Sequence, residues 1–196
     1  MKYLARVQIH PMSGPYKAHQ TVYEACQGLV KVWRRLEGNH AIAVTDTPPI
    51  PPPQGVAFKS YDPSPVNGSR LRFDLLVESS ATEGKPVNGG RNPRVDPVLK
   101  ARIRSGGKDR WNDLAFEYGA KWLKKREERL GAKFSIDFAE YDVIEFIRGK
   151  ESIRLGTIAM KGILTVTDSE KLKFAMENGV GHGKAWGCGL LLCNRI

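Results

Sequence analysis

The chain has 196 residues, 41% of them hydrophobic, enough to build one large or two small packed domains. Lys and Arg number 31 against 21 Asp and Glu, a formal charge of +10 with a pI near 9.6, and this balance favours a polyanionic partner, nucleic acid before membrane surface. No stretch is apolar enough to span a bilayer, MKYLARVQIHP shows no signal peptide, and three cysteines without a C-x-x-C pair point to reduced thiols in a cytoplasmic protein.

Residues 2–10 alternate, with Tyr3, Ala5, Val7 and Ile9 on one side, which predicts a half-buried strand ended by Pro11, Gly14 and Pro15. A helix is expected over 17–27, with Val22, Ala25 and Cys26 inward, Gly28 as its stop, and Tyr16 and His19 at its first turn. LVKVWRRL keeps helical as well as strand spacing; the Gly28 break and the β-forming Val30, Val32 and Trp33 favour strand. Glu37, Gly38 and Asn39 turn it into a second strand, HAIAVTD, and TPPIPPPQ at 47–54 reads as a surface loop. Residues 70–78 read as a strand with Leu71, Phe73 and Leu75 on one face. The order β-α-β-β-…-β suits a ferredoxin-like sheet with its second helix missing or shortened.

Residues 81–107 read as a linker with a basic surface, carrying Lys85, Arg91, Arg94, Lys100, Arg102 and Arg104. The clearest helix is predicted over 109–130. Its apolar stripe is Trp111, Leu114, Ala115, Tyr118 and Trp122, and its C-terminal cations are Lys121, Lys124, Lys125, Arg126 and Arg129. Residues 133–138 read as a strand, 141–148 and 153–165 as a hairpin about Gly149, Lys150 and Glu151, and 169–177 as a short helix capped by Asp168. The predicted fold class is therefore α+β: two tandem ferredoxin-like (RRM-like) domains with antiparallel sheets, at 1–80 and 108–196.

In the stretch 179–195, GVGHGKAWGCGLLLCNR, five glycines (Gly179, Gly181, Gly183, Gly187 and Gly189) surround His182 and Lys184. Such a loop can aim N–H groups at a phosphate, or it can simply be a tight turn into a buried last strand. Its spacing is not the dinucleotide fingerprint. Metal chemistry finds little support: Glu140, Asp142 and Glu145 do not share one strand face, and Cys188 and Cys193 sit in an apolar strand.

Four segments together, PYKAHQTVYEAC at 15–26, RRLEGNHAIAVTDTPP at 34–49, WLKKREERLGAKF at 122–134 and GTIAMKGILTVTDSEKLKFAMENGVGHGKAWGCGLLLC at 156–193, carry a resemblance over nearly the whole chain. The chain resembles the CasE family, the CRISPR RNA-processing endoribonucleases of subtype I-E systems. It departs from that pattern at Cys26-Gln27-Gly28 and in the Pro51–Pro53 run. The resemblance implies metal-independent cleavage of precursor CRISPR RNA beside a repeat hairpin. It also implies retention of the product among the other subunits of a Cascade-type complex, with no metal, small-molecule cofactor or membrane involved. It makes His19 the general acid or base and places Tyr16, one turn earlier, to position or protonate an oxygen. Lys17, Lys31 and Lys184 are candidates to neutralise phosphorane charge, and His182 is a second-choice catalytic group; His10 and His40 read as structural. RNA contacts are expected from Arg148, Lys150, Arg154 and Lys161 on the hairpin, from Gly181, Gly183 and Lys184 in the glycine loop, and next from Arg91, Arg94, Arg102 and Arg104. Two rivals stand beside this reading: a non-cleaving RNA-hairpin-binding subunit of the same fold, and a basic RNA- or ribosome-associated protein.

Overall fold

The computed structural model describes residues 2–36, 38–82, 94–108, 110–148 and 150–196. Its first sheet contains β1 (Lys2–Gln8), β2 (Val30–Arg35), β3 (His40–Thr45) and β4 (Val56–Tyr61), in the antiparallel order β2-β3-β1-β4. One helix, α1 (Pro15–Ala25), covers one face: its Ala18 and Val22 pack on Ala5, Val7, Trp33, Ala41 and Ala43. The helix starts at Pro15 rather than at 17, because proline suits the first helical position, where its missing N–H costs nothing. β4 went unseen in the sequence, since a half-exposed VAFKSY segment lacks a clean period of two.

The second sheet is where expectation and structure part. Residues 70–78 form β5 (Arg70–Glu78), expected to close the first sheet; β5 instead lies inside the second, whose order is β10-β5-β9-β8. Its other strands are β8 (Ala132–Arg148), β9 (Glu151–Val166) and β10 (Leu191–Arg195), all antiparallel. A boundary at residue 80 therefore falls after a strand that belongs to the second domain. Register explains the exchange: β5 pairs over nine residues with β9, Arg70 opposite Thr165 and Glu78 opposite Thr157. The segment 81–107 holds more than a linker, namely the two-residue strands β6 (Ala81–Thr82) and β7 (Arg94–Val95) and the helix α2 (Pro97–Arg104), capped by Asp96. With β5 as its first strand, the second half runs β-α-β-β-α-β in full.

The long helix divides into α3 (Trp111–Lys124) and α4 (Glu127–Leu130). At the break the Arg126 guanidinium donates to the Trp122 carbonyl, and the Arg126 N–H turns to Leu123, so the regular i→i−4 bond is lost. The strands predicted at 133–138 and 141–148 are one 17-residue β8, interrupted by a bulge between Ile136 and Phe138. With the helix α5 (Ser169–Asn178), α3 covers the sheet face formed by Phe73, Leu75, Ile158, Met160 and Leu164. The two domains meet where Val32 and Val44, on the uncovered face of the first sheet, pack against Leu190.

Candidate RNA-cleavage site

The site is built on the first turns of α1. Gly14, the residue before the helix, supplies no side-chain cap. The approach to the helix is fixed instead by Arg35, whose guanidinium donates to the carbonyls of Ser13 (2.6 Å), Pro11 (2.6 Å) and His10 (3.1 Å). A separation of three residues places Tyr16 and His19 on one face of the helix. That face looks into the seam between the domains, where the glycine-rich loop forms a 3-10 turn at Lys184–Trp186. The Trp186 ring centroid lies 6.4 Å from Tyr16, 6.3 Å from His19 and 4.7 Å from Phe146 of β8. Trp33 lies beneath: its ring runs near-parallel to His19 at 6.4 Å, and its Nε1–H donates to the Ala185 carbonyl at 3.3 Å.

Two glycines show why the loop has its composition. Gly187 and Gly189 have φ of +85° and +88°. A Cβ on Gly187 would lie 3.3 Å from the Trp33 ring, and one on Gly189 would come within 2.4 Å of the Val180 carbonyl. The loop is a tight turn into β10, and through Trp186 it also forms one wall of the site.

His19 is half-buried, and burial among these rings lowers its pKa below the ordinary 6.5. Its Nδ1 is buried with no hydrogen-bond partner. An imidazolium would bury a second N–H without an acceptor, so packing favours the neutral ring. At neutral pH the ring is therefore held in its neutral form.

The other nominated residues divide. Arg94 is drawn to the glycine loop: it pairs at 2.8 Å with Glu78, and a Cβ on Gly183 would sit 3.0 Å from that carboxylate. Lys184 donates to the Asn178 carbonyl at 2.7 Å, and desolvation, with the Arg129 charge second, lowers its pKa. Lys31 pairs with Asp46 at 2.8 Å, while Lys17 and His182 are exposed. His10 lies just beyond β1, not in it, and its Nδ1 accepts from the Met12 N–H; His40 opens β3. On the hairpin, Lys150 is exposed at the turn, Arg154 pairs with Glu145 at 2.7 Å, and Lys161 lies 6.0 Å from the Phe138 ring. Arg148 ends β8 opposite Glu151. Arg91 and Lys85 lie outside the described residues. Trp33, Trp186 and Arg35 were not singled out as site residues. A tryptophan inside the run GKAWG was the available signal.

A family model described as "CRISPR associated protein" matches residues 3–195. The chain belongs to that family. This member has the fold of the Thermus thermophilus Cse3 bound to an RNA representing a pre-cleavage complex, with a TM-score of 0.69, 22% identity and 98% of each chain covered. The CRISPR-associated protein Cas6e from Escherichia coli K-12 aligns over 100% of both chains at 16% identity, with a TM-score of 0.64. A chain of a CRISPR RNA-guided surveillance complex aligns over 99% of this chain and 100% of its own at 16% identity, with a TM-score of 0.67. These matches bear out the resemblance to the CasE family and the fold of two ferredoxin-like domains. No curated protein matches the chain. Among the described residues no helix is long and apolar enough to cross a membrane.

Proposed function

We propose that this protein is a metal-independent endoribonuclease that cuts precursor CRISPR RNA beside the repeat hairpin and then holds the product inside a surveillance complex. One observation carries the reading: Tyr16 and His19 share a face of α1 and both meet Trp186 of the glycine loop at the domain seam. Membership in the CRISPR associated family supports it, as do the solved Cse3–RNA and surveillance-complex folds.

The chemistry needs two proton movements and no redox step. The ribose 2′-OH gives its proton to a base, its oxygen attacks the adjacent phosphorus, and the 5′ oxygen leaves and takes up a proton. The products are a 2′,3′-cyclic phosphate and a 5′-OH. His19, neutral at physiological pH, is the base, and Tyr16 is the hydroxyl that orients or protonates an oxygen. Lys184, in the same 3-10 turn as Trp186, supplies positive charge for the phosphorane. The hairpin with Arg148, Lys150, Arg154 and Lys161 takes the repeat stem by its phosphates.

His19→Ala should lower single-turnover cleavage of a cognate repeat, measured in EDTA, by about 10²- to 10⁴-fold while RNA affinity stays within about twofold. If EDTA stops the wild-type reaction, the metal-free chemistry is wrong. If wild-type protein binds the repeat tightly and never cuts it, the protein is a binding subunit only.

A further inference from the structure

Residues 97–112 carry five cations, Lys100, Arg102, Arg104, Lys108 and Arg110, against one acid, Asp109. One of these cations is held by a chain of contacts reaching into the second domain. The Arg102 guanidinium carbon lies 5.2 Å from the centroid of the Trp111 ring, and Trp111 stacks on Tyr141 at 4.9 Å with 10° between planes. The Tyr141 hydroxyl donates to Asp96 Oδ2 at 2.8 Å, and the Ser79 hydroxyl donates to the same oxygen. The other Asp96 oxygen accepts from the N–H groups of Val98 and Leu99, so Asp96 also starts α2, the helix that bears Arg102. The circuit closes on itself. Gly156 makes room for it, since a Cβ there would fall 1.8 Å from Asp96 Oδ2.

This stack ends in a charge. Trp111 is 36% exposed. No carboxylate pairs with Arg102 among the described residues, in contrast to Arg34, Arg94 and Arg154. A guanidinium lying on an indole uses its face and leaves the N–H donors along its edge for a flat anionic acceptor. The contact with the ring restrains the side chain before any ligand arrives, which lowers the entropy lost on binding.

The geometry points to a second RNA contact surface, in which Arg102, braced on Trp111, takes a phosphodiester of the bound RNA while Arg104 and Lys108 add positive potential beside it. This inference rests on the RNA-binding reading above and goes beyond the hairpin and the glycine loop. Its place in the fold separates it from the cleavage chemistry. Tyr141 and Phe146 lie on opposite faces of β8, being an odd number of residues apart with no register shift between them. The brace therefore works on the helix side of the long hairpin, and His19 on the other. Arg102 should govern how tightly RNA is held and not how fast it is cut.

The test uses the full-length chain with two labelled RNAs: a repeat hairpin carrying single-stranded flanks and an unrelated hairpin of equal length. Arg102→Ala should weaken binding of the repeat RNA about fivefold and flatten the dependence of log K on log salt by about 0.7 to 0.9. The single-turnover cleavage rate at saturating protein should be unchanged, and so should the melting midpoint. Trp111→Ala should reproduce the loss, while Trp111→Phe should retain most of the affinity because a ring still supports the guanidinium. Wild-type affinity and an unaltered salt slope in Arg102→Ala would overturn the proposal, and would leave the patch to an acidic protein partner. Equal binding of both RNAs by the wild type would sink the repeat-processing reading instead, and the slope change with either RNA would still decide the role of Arg102.

Discussion

The two domains share a strand order and differ in how they cover their sheets. In the second, β5-α-β8-β9-α5-β10 is complete, and α3 and α5 together shield one face. In the first, the β3–β4 connection carries the proline run instead of a helix, and α1 stands alone. A recess of about 600 Å³, lined by Val7, Ile9, Ala25, Pro53 and Val56, occupies the side of α1 where a second crossover helix would pack. The other face of that sheet is covered by the second domain, with Val32 and Val44 against Leu190. A domain missing one helix must draw its stability from its neighbour, and the seam that provides it is also where His19 meets Trp186.

Removing the seam's central side chain is the strongest way to break this comparison. Leu190 is fully buried, and Leu190→Ala should cost about 2–5 kcal/mol, part in lost transfer energy and part in the cavity left behind. Leu164→Ala, equally buried in the second domain's own core, should cost a similar amount. The two losses should differ in kind. With Leu190→Ala, amides of β1 and β3 should exchange faster than those of β5 and β9. With Leu164→Ala, both sheets should loosen together. If exchange in β1 and β3 is no faster than in β9 after Leu190→Ala, the first domain stands on its own.

Much of this division was legible in the sequence, and the part that was not has a physical cause. Strand β1, the α1 segment and the hairpin at Gly38 and Asn39 follow from alternation and glycine stops, which are local signals. The missing helix showed as TPPIPPPQ. The sheet membership of β5 could not show: RLRFDLLVE alternates equally well in either sheet, and only its distant pairing with β9, from Arg70 opposite Thr165 to Glu78 opposite Thr157, decides. The same holds at the site. That Tyr16 and His19 share a face of α1 was readable from their spacing. The contribution of Trp33, which joins β2 to Ala185 across 152 positions, is a tertiary fact with no local trace.

A smaller effect sharpens the link between seam and chemistry. Burial in the seam depresses the His19 pKa below 6.5. As pH falls, the unfolded chain takes up this proton first, near 6.5, while the folded chain resists until lower pH. This group's contribution to stability is thus fully present above 6.5 and declines as pH falls through the lower folded value. Cleavage with His19 as base should be flat between pH 7 and 8 and should fall only below 6.5. Trp186→Ala opens one wall of the seam and should move the titration of the His19 ring, followed by the NMR shifts of its carbon-bound protons, back towards 6.5. An unmoved titration would assign the depression to α1 and Trp33 alone, making it a property of the first domain and not of the seam.

The least effect is expected from the charge pair across the seam. Arg34 of β2 reaches Asp74 of β5 at 2.7 Å, with their side chains 13% and 33% exposed. The pair is partly desolvated, so the cost of stripping water from both ions offsets much of their attraction. Arg34→Ala should cost about 1 kcal/mol, largely because Asp74 is left half-buried without a partner, and the double variant should recover part of that loss. A coupling of about 0.5–1 kcal/mol in the double-mutant cycle would fit a seam held by apolar packing, with the ion pair setting the angle between the sheets. The Lys173–Asp62 pair, whose carboxylate is 63% exposed, is the control and should give nearly nothing. A coupling above about 2 kcal/mol between Arg34 and Asp74 would reverse the assignment. The first domain would then be fastened by charge, Leu190→Ala would be the milder lesion, and added salt would loosen the seam to the extent that solvent reaches the pair, while apolar contacts stay intact.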